Sequence, residues 1–280
     1  MRARYFISTA ILAALIAPAA PAMAADVFGP LRGTQYGGPA MKPVVAWQGA
    51  YFGGTAGATT SNVAFSGALS DSIAFMLRNT RVNDLMQVDQ WLAPRTGAMN
   101  SGNFGVFAGF NYQIDEAVLG FEADYSRVNL STFGSDRMAR RTVADDVLYN
   151  AAASGEVSVQ IRDLMSLRAR AGYTMGSFLP FVTGGLALAN YTTLTRASVN
   201  VVERDATNPN PNTNVLGVID ETETRRKRRI GIGLAGGAGV DAAVTENLFV
   251  RGEWQYLHFP DLNGANVNIH NFRAGAAVKF

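Results

Sequence analysis

Apolar and polar residues alternate with a period of two along much of this chain, most clearly at its end. Counting back in twos from Phe280 gives Val278, Ala276, Ala274 and Phe272, while Lys279, Ala277, Gly275, Arg273 and Asn271 lie between them. One face is apolar and the other carries two cations. Such a strand offers one surface to hydrocarbon and the other to a polar interior. Similar stretches predict eight strands: Trp47 to about Thr60, Phe104–Gln113, Ala117–Leu130, about Val157–Met175, Phe178 to about Thr195, Arg229–Val244, Asn247–Phe259 and Val267–Phe280.

The predicted connections alternate in length. Ile114-Asp115-Glu116, Gly176-Ser177 and Thr245-Glu246 are tight turns, whereas 61–103, 131–156 and 196–228 are long and 260–266 is shorter. Short turns at one end and long loops at the other point to an all-β, eight-stranded antiparallel transmembrane β-barrel with short periplasmic turns and long extracellular loops. The even strand number puts both chain ends on the periplasmic side. A soluble up-and-down barrel shares the architecture but has no reason to alternate so strictly. The long loops show little core-forming pattern. Ile73, Met76, Leu77, Leu85 and Met86 have partial helical spacing, which allows a short helix in the first. Asp205–Asn214, rich in Pro and Asn, reads as irregular.

The N-terminal segment sharpens this reading. Arg2 and Arg4 precede an apolar run from Ile7 to Ile16, and Ala22-Met23-Ala24 has the small-residue pattern of a cleavage site. The run is about half the roughly 20 residues that a spanning helix needs, and Pro18 and Pro21 prevent its continuation. Residues 1–24 are therefore expected to be a cleaved signal peptide, 25–46 a flexible lead-in and 47–280 the barrel. No later segment has 18 uninterrupted apolar residues, which leaves a secreted soluble fold or a barrel. Cleavage would remove two of the 24 basic residues and leave them equal to the 22 acidic ones. The pI near 9.0 is thus no argument for nucleic-acid binding. Cysteine is absent, which excludes a disulfide scaffold, a thiol nucleophile and a thiolate metal site.

Strand parity assigns the interior. With Phe121, Leu167, Trp254 and Phe272 facing lipid, Glu122, Asp124, Arg168, Arg170, Asp241, Arg251, Glu253 and Arg273 face inward. An eight-stranded ring is only wide enough for side chains to fill, and arginine can clasp a carboxylate through two bonds. The favoured expectation is a self-satisfied polar plug; the sharper alternative is a gated ion path. Paired carboxylates can do acid/base work, but here each has an arginine nearby that keeps it ionised. Only two histidines, His258 and His270, are present, near the rim of the last hairpin. They suit rim hydrogen bonding better than haem or a metal. Neither Ser-x-x-Lys, a nucleophile elbow nor HExxH occurs, so no catalytic residue, metal or cofactor is expected.

Tyr51, Phe52, Tyr112, Tyr125, Tyr173, Phe178, Phe181, Tyr191, Phe249, Tyr256, Phe259 and Phe280 lie near strand ends, as interfacial aromatic girdles would. Arg225, Arg226, Lys227, Arg228 and Arg229 form one basic run entering the sixth strand. At an outer rim this run would meet lipopolysaccharide phosphates; a simple solvated loop is the alternative.

Trp47-Gln-Gly-Ala-Tyr-Phe-Gly-Gly resembles the opening strand of the small alphaproteobacterial outer-membrane barrels, the immunogenic or porin-like family related to the OmpA-type barrel. Gly109-Phe-Asn-Tyr, Val118-Leu-Gly-Phe-Glu-Ala-Asp, Leu167-Arg-Ala-Arg-Ala-Gly-Tyr, Leu179-Pro-Phe-Val-Thr-Gly-Gly-Leu-Ala and the strand ending at Phe280 extend the resemblance over nearly all of 47–280, the long loops excepted. It implies an eight-stranded barrel in the cell outer membrane. It also implies that the barrel-assembly machinery reads Phe272, Ala274, Ala276, Val278 and Phe280 as an insertion signal. The expected role is structural or surface-interacting, without enzymatic activity, touching membrane lipid, lipopolysaccharide and host or surface ligands through the loops. The alternative is a small porin or a haem- or ligand-binding barrel. With Phe280 last, no peptidoglycan-binding domain is expected after the barrel.

Overall fold

The computed structural model describes residues 45–65, 67, 69–95 and 97–280. The predicted signal peptide, and the lead-in apart from Val45 and Ala46, lie outside the described residues. Eight strands run β1 (Gly49–Phe65), β2 (Gly97–Ile114), β3 (Ala117–Ala144), β4 (Val147–Tyr173), β5 (Phe178–Asp205), β6 (Val215–Ala243), β7 (Leu248–Phe259) and β8 (Ala265–Lys279). Each pairs antiparallel with its neighbours, and β1 pairs with β8 to close the ring. Closure leaves no open sheet edge within the lipid band, where an unpaired backbone group would find no water.

The band facing lipid is built from exposed apolar side chains, among them Phe104, Phe121, Leu167, Leu186, Ile232 and Phe272. Parity in the first strand, which glycine obscures in the sequence, is set by Tyr51, Thr55, Thr59, Ser61 and Val63 pointing inward. The three tight turns fall where expected, and Asp115 and Gly176 take positive φ in two of them.

At the other end the structure departs from expectation. Segments 131–156 and 196–228 are β-hairpin extensions rather than irregular loops. β3 and β4 continue to a two-residue turn at Asp145-Asp146, both with positive φ (51° and 59°), which is the backbone of a type I′ hairpin. β5 and β6 continue to a turn at 206–214, closed by the Asp205 N–H donating to Asn214 O at 2.7 Å. There the Thr207 hydroxyl and backbone N–H donate to Asp205 and hold its carboxyl below its ordinary range. The alternation ends these strands too early because its meaning inverts above the membrane. Within lipid, polar residues point in. Beyond it, Tyr149, Ala151, Ala153, Val157, Val159 and Ile161 of β4, and Ala197, Val199 and Val201 of β5, point in and are buried. A bulge in β4, where the pairing with β5 slips between Ile161 and Asp163, moves the inward set from odd to even positions.

The segment between β1 and β2 folds over this outer mouth. It carries α1 (Ser70–Leu77), α2 (Arg81–Met86) and a 3-10 turn (Val88–Gln90), the helical content its spacing allowed. Leu69, Ile73, Leu77, Val82 and Val88 are buried against the inward apolar residues of the extensions. The Trp91 indole N–H donates to Met86 O at 2.9 Å and ties the segment together.

Candidate functional site: the barrel interior

The interior is layered. Nearest the short turns, Trp47, Tyr51, Phe107, Val118, Leu179, Phe249 and Ala277 form an apolar cluster. The Trp47 and Phe249 rings meet edge-on at 5.8 Å, and the Trp47 backbone N–H donates to Gln113 Oε1 at 2.7 Å. Above this lies a charged layer. All eight residues assigned inward by parity are there, each no more than 8% exposed.

Strand register brings opposite charges together before any side chain is considered. Glu122 faces Arg168 across β3 and β4, Asp241 faces Arg251 across β6 and β7, and Glu253 faces Arg273 across β7 and β8. Contacts across the lumen then join the pairs into one circuit. Arg251 holds Asp241 through Nε (2.7 Å) and Nη2 (3.1 Å) and reaches Glu122 through Nη1 at 2.5 Å. Arg168 donates to Glu122 at 2.7 Å and also to Glu253. Arg273 joins Glu253 through Nη2 at 3.0 Å and Asp124 through Nη1 at 2.8 Å. Arg170 reaches Asp241 at 2.5 Å. Four cations balance four anions, which is what makes burial of the group tolerable, since an unpaired buried charge costs several kcal/mol.

The arginines also rest on aromatic faces. The Arg170 guanidinium lies 3.8 Å from the centre of the Phe181 ring, and that of Arg251 lies 4.3 Å from Phe107. Desolvated contacts of this kind are worth up to about 2 kcal/mol each. They explain why Tyr51, Phe181 and Phe249, three of the twelve predicted girdle aromatics, are not in the girdle, while Tyr191 and Phe259 pack into the upper apolar cluster. Tyr51, Phe181, Tyr191, Phe249 and Phe259 have inward parity and are buried, while Phe52, Tyr112, Tyr173, Phe178 and Phe280 are exposed. The Tyr51 hydroxyl donates to Glu122 at 2.8 Å and so joins the charged layer to the apolar one.

Reading charge alone misses the next layer, which is neutral. Asn103 donates to Thr59 (2.8 Å), Thr59 to Asn271 (2.7 Å) and Asn271 to Gln255 (2.9 Å). The same parity count would have found these residues. Leu164, Leu257 and Ile269 close the interior above them. Inner-face glycines make room for the large side chains. A Cβ on Gly237 would lie 2.8 Å from Trp254 O and 3.4 Å from Arg168 Nη1.

The other predicted groups separate. The basic run is not one cluster, because it lies within β6 and strand alternation divides it: Arg226, Arg228 and Arg229 are exposed, whereas Arg225 and Lys227 are half-buried and line a cavity. His258 and His270 lie in β7 and β8, two positions apart in register. His258 Nδ1 meets Asn268 Oδ1 at 2.6 Å, and the His270 ring stacks on Trp254 at 6.0 Å. Among the described residues no group of three or more His, Cys, Asp or Glu is placed to hold a metal. Phe272, Ala274, Ala276, Val278 and Phe280 all face outward, with Phe272, Val278 and Phe280 well exposed.

Comparisons with known proteins place this architecture among its relatives. The chain is 26% identical over 186 residues to the 25 kDa outer-membrane immunogenic protein of Brucella melitensis, a match covering 63% of this chain and 64% of that one. The chain therefore spans a little under two thirds of that relative's length. It is 28% identical over 205 residues to the 22 kDa outer membrane protein of Rhizobium leguminosarum bv. viciae, covering 66% and 74%. Neisserial surface protein A aligns over 83% of this chain and all of its own at 18% identity, with a TM-score of 0.35. A family model described as the outer membrane protein beta-barrel domain matches residues 10–280. The chain belongs to that outer-membrane β-barrel family, and its eight-stranded ring is a barrel of the outer membrane.

Proposed function

We propose that this protein is a structural and surface-interaction component of the envelope, its lumen packed shut by the charged layer. The observation that carries the reading is the circuit of four arginines and four carboxylates, buried and mutually neutralised between two apolar clusters. Conduction needs a continuous column of water, and a ring of this size has room only for the side chains already in it. In this reading residues 1–24 are a signal peptide, 25–46 a lead-in and 47–280 the barrel. The outward residues from Phe272 to Phe280 present the strand to the barrel-assembly machinery.

The outward arginines supply the lipid contact. Arg226 and Arg228 stand just above Ile230 and Ile232, and Arg127 and Arg162 project outward from β3 and β4. Guanidinium groups there would meet lipopolysaccharide phosphates, which they bind through paired, charge-assisted bonds. The hairpin extensions hold the surface-binding face away from the membrane.

A deletion strain tests the reading. Greater sensitivity to detergents and large antibiotics, with unchanged uptake of small solutes, is expected. Arg226→Gln/Arg228→Gln should retain less lipopolysaccharide on purification than the parent. Slowed small-solute uptake with an intact permeability barrier would favour the porin reading.

A further inference from the structure

The wall of the barrel is uneven. β6 has 29 residues, whereas β7 has 12 and β8 has 15. Pairing of β6 with β7 ends at Leu234 opposite His258, so β6 rises past the end of its neighbour. The β7–β8 turn and the start of α1 lean toward the notch this leaves. Between them is a cavity of about 170 Å³, lined by β5, β6, α1 and that turn.

Its lining is divided by charge. β6 contributes Lys227 and Arg225, the latter already ion-paired with Glu223 at 2.6 Å; the α1 side contributes Asp71 and the turn contributes Asp261. Lys227 Nζ donates to the neutral Asn263 Oδ1 at 3.2 Å. Among the described residues neither Lys227 nor Asp71 has an ion-pair partner within 4.0 Å. Thr193, directly across from Lys227 in the β5–β6 register, is 2% exposed, and its hydroxyl has no hydrogen-bond partner among the described residues. A buried hydroxyl without a partner is destabilising and rare. One that lines a cavity beside an uncompensated ammonium group is the kind of group a ligand satisfies.

We infer that this notch is a binding site for a small zwitterion of the free α-amino acid class. The carboxylate lies between Lys227 and the Thr193 hydroxyl, and the ammonium group faces Asp71 and Asp261. A simple anion would satisfy the β6 side but face two carboxylates opposite. A simple amine would meet the converse penalty. Only a molecule carrying both charges is complementary to the whole lining. The site opens at the long-loop end and is independent of the sealed interior, so it holds whether or not the lumen conducts.

Titration calorimetry on the protein folded in detergent micelles tests this, with L-alanine and L-glutamine as probes and acetate, ethylammonium and methyl glucoside as single-feature controls. Saturable binding of an amino acid is expected at roughly millimolar affinity, with each control at least about tenfold weaker. Lys227→Met and Asp71→Asn should each weaken binding about tenfold or more, the loss of one charge-assisted contact. Thr193→Val should weaken it less. Migration of unboiled protein on a detergent gel shows that each variant is folded. The inference is overturned if no amino acid binds, if acetate, ethylammonium or methyl glucoside binds as well as the amino acids, or if binding survives undiminished in folded Lys227→Met or Asp71→Asn.

Discussion

Replacing Arg168 by methionine tests whether the interior charges act as one coupled circuit. The side chain is fully buried and lies within 3.3 Å of Glu122, Asp124 and Glu253, while Nη1 also donates to Thr183 at 2.9 Å. Methionine keeps an unbranched apolar stem and removes the charge, leaving three arginines against four carboxylates. Breaking a buried pair by removing one partner costs about 3–5 kcal/mol. Glu122 retains Arg251, and Glu253 retains Arg273, so the lower end, about 3 kcal/mol, is expected. Glu122→Gln should cost a similar amount by the opposite imbalance. The double variant restores three against three, so its cost should fall short of the sum by about 2 kcal/mol. Urea unfolding in phospholipid vesicles, followed by tryptophan fluorescence and by heat-dependent gel migration, measures all three. Strict additivity, or a cost for Arg168→Met below about 1 kcal/mol, would refute the reasoning, because that is how isolated exposed pairs behave.

Packing and backbone geometry give two further outcomes. Gly237→Val should lower folding yield and stability by about 1–3 kcal/mol, because its side chain competes with Arg168 and Thr183 for space; the midpoint of the heat-dependent gel shift measures it. Asp146→Val should strain the β3–β4 turn by about 1–3 kcal/mol, since β-branched residues resist the positive φ found there. Protease cleavage at that hairpin tip should rise while the gel shift of the barrel stays unchanged.

The membrane part of this fold is legible in the sequence because lipid imposes a single rule on every strand. Once Phe121, Leu167, Trp254 and Phe272 are placed outside, Glu122, Arg168, Glu253 and Arg273 must be inside. The extracellular part is not legible by the same rule. Ala151, Ala153, Val157 and Val159 alternate with Asn150, Ala152, Ser154 and Ser158, a soluble pattern of opposite sense, and the β4 bulge also changes parity at the boundary. Small inward residues such as Ala197 and Gly155 further weaken the contrast. At Gly155 the helical segment demands the small residue, since a Cβ there would clash with Leu69. The basic run reads as a cluster because it is contiguous in sequence. Within a strand, contiguity separates residues onto two faces, which leaves Arg226 and Arg228 exposed and turns Arg225 and Lys227 toward the notch. Which arginine meets which carboxylate across the lumen is likewise beyond sequence, because it depends on the stagger of strands far apart in the chain, as with Arg273 and Asp124.

Single-channel recording in planar lipid bilayers reads out whether the charged layer closes the barrel. The native protein should insert without a persistent open level, and Arg168→Ala/Arg273→Ala should produce one by removing two of the side chains that fill the layer. A long-lived, ion-selective conductance from the native protein under the same conditions would contradict the account.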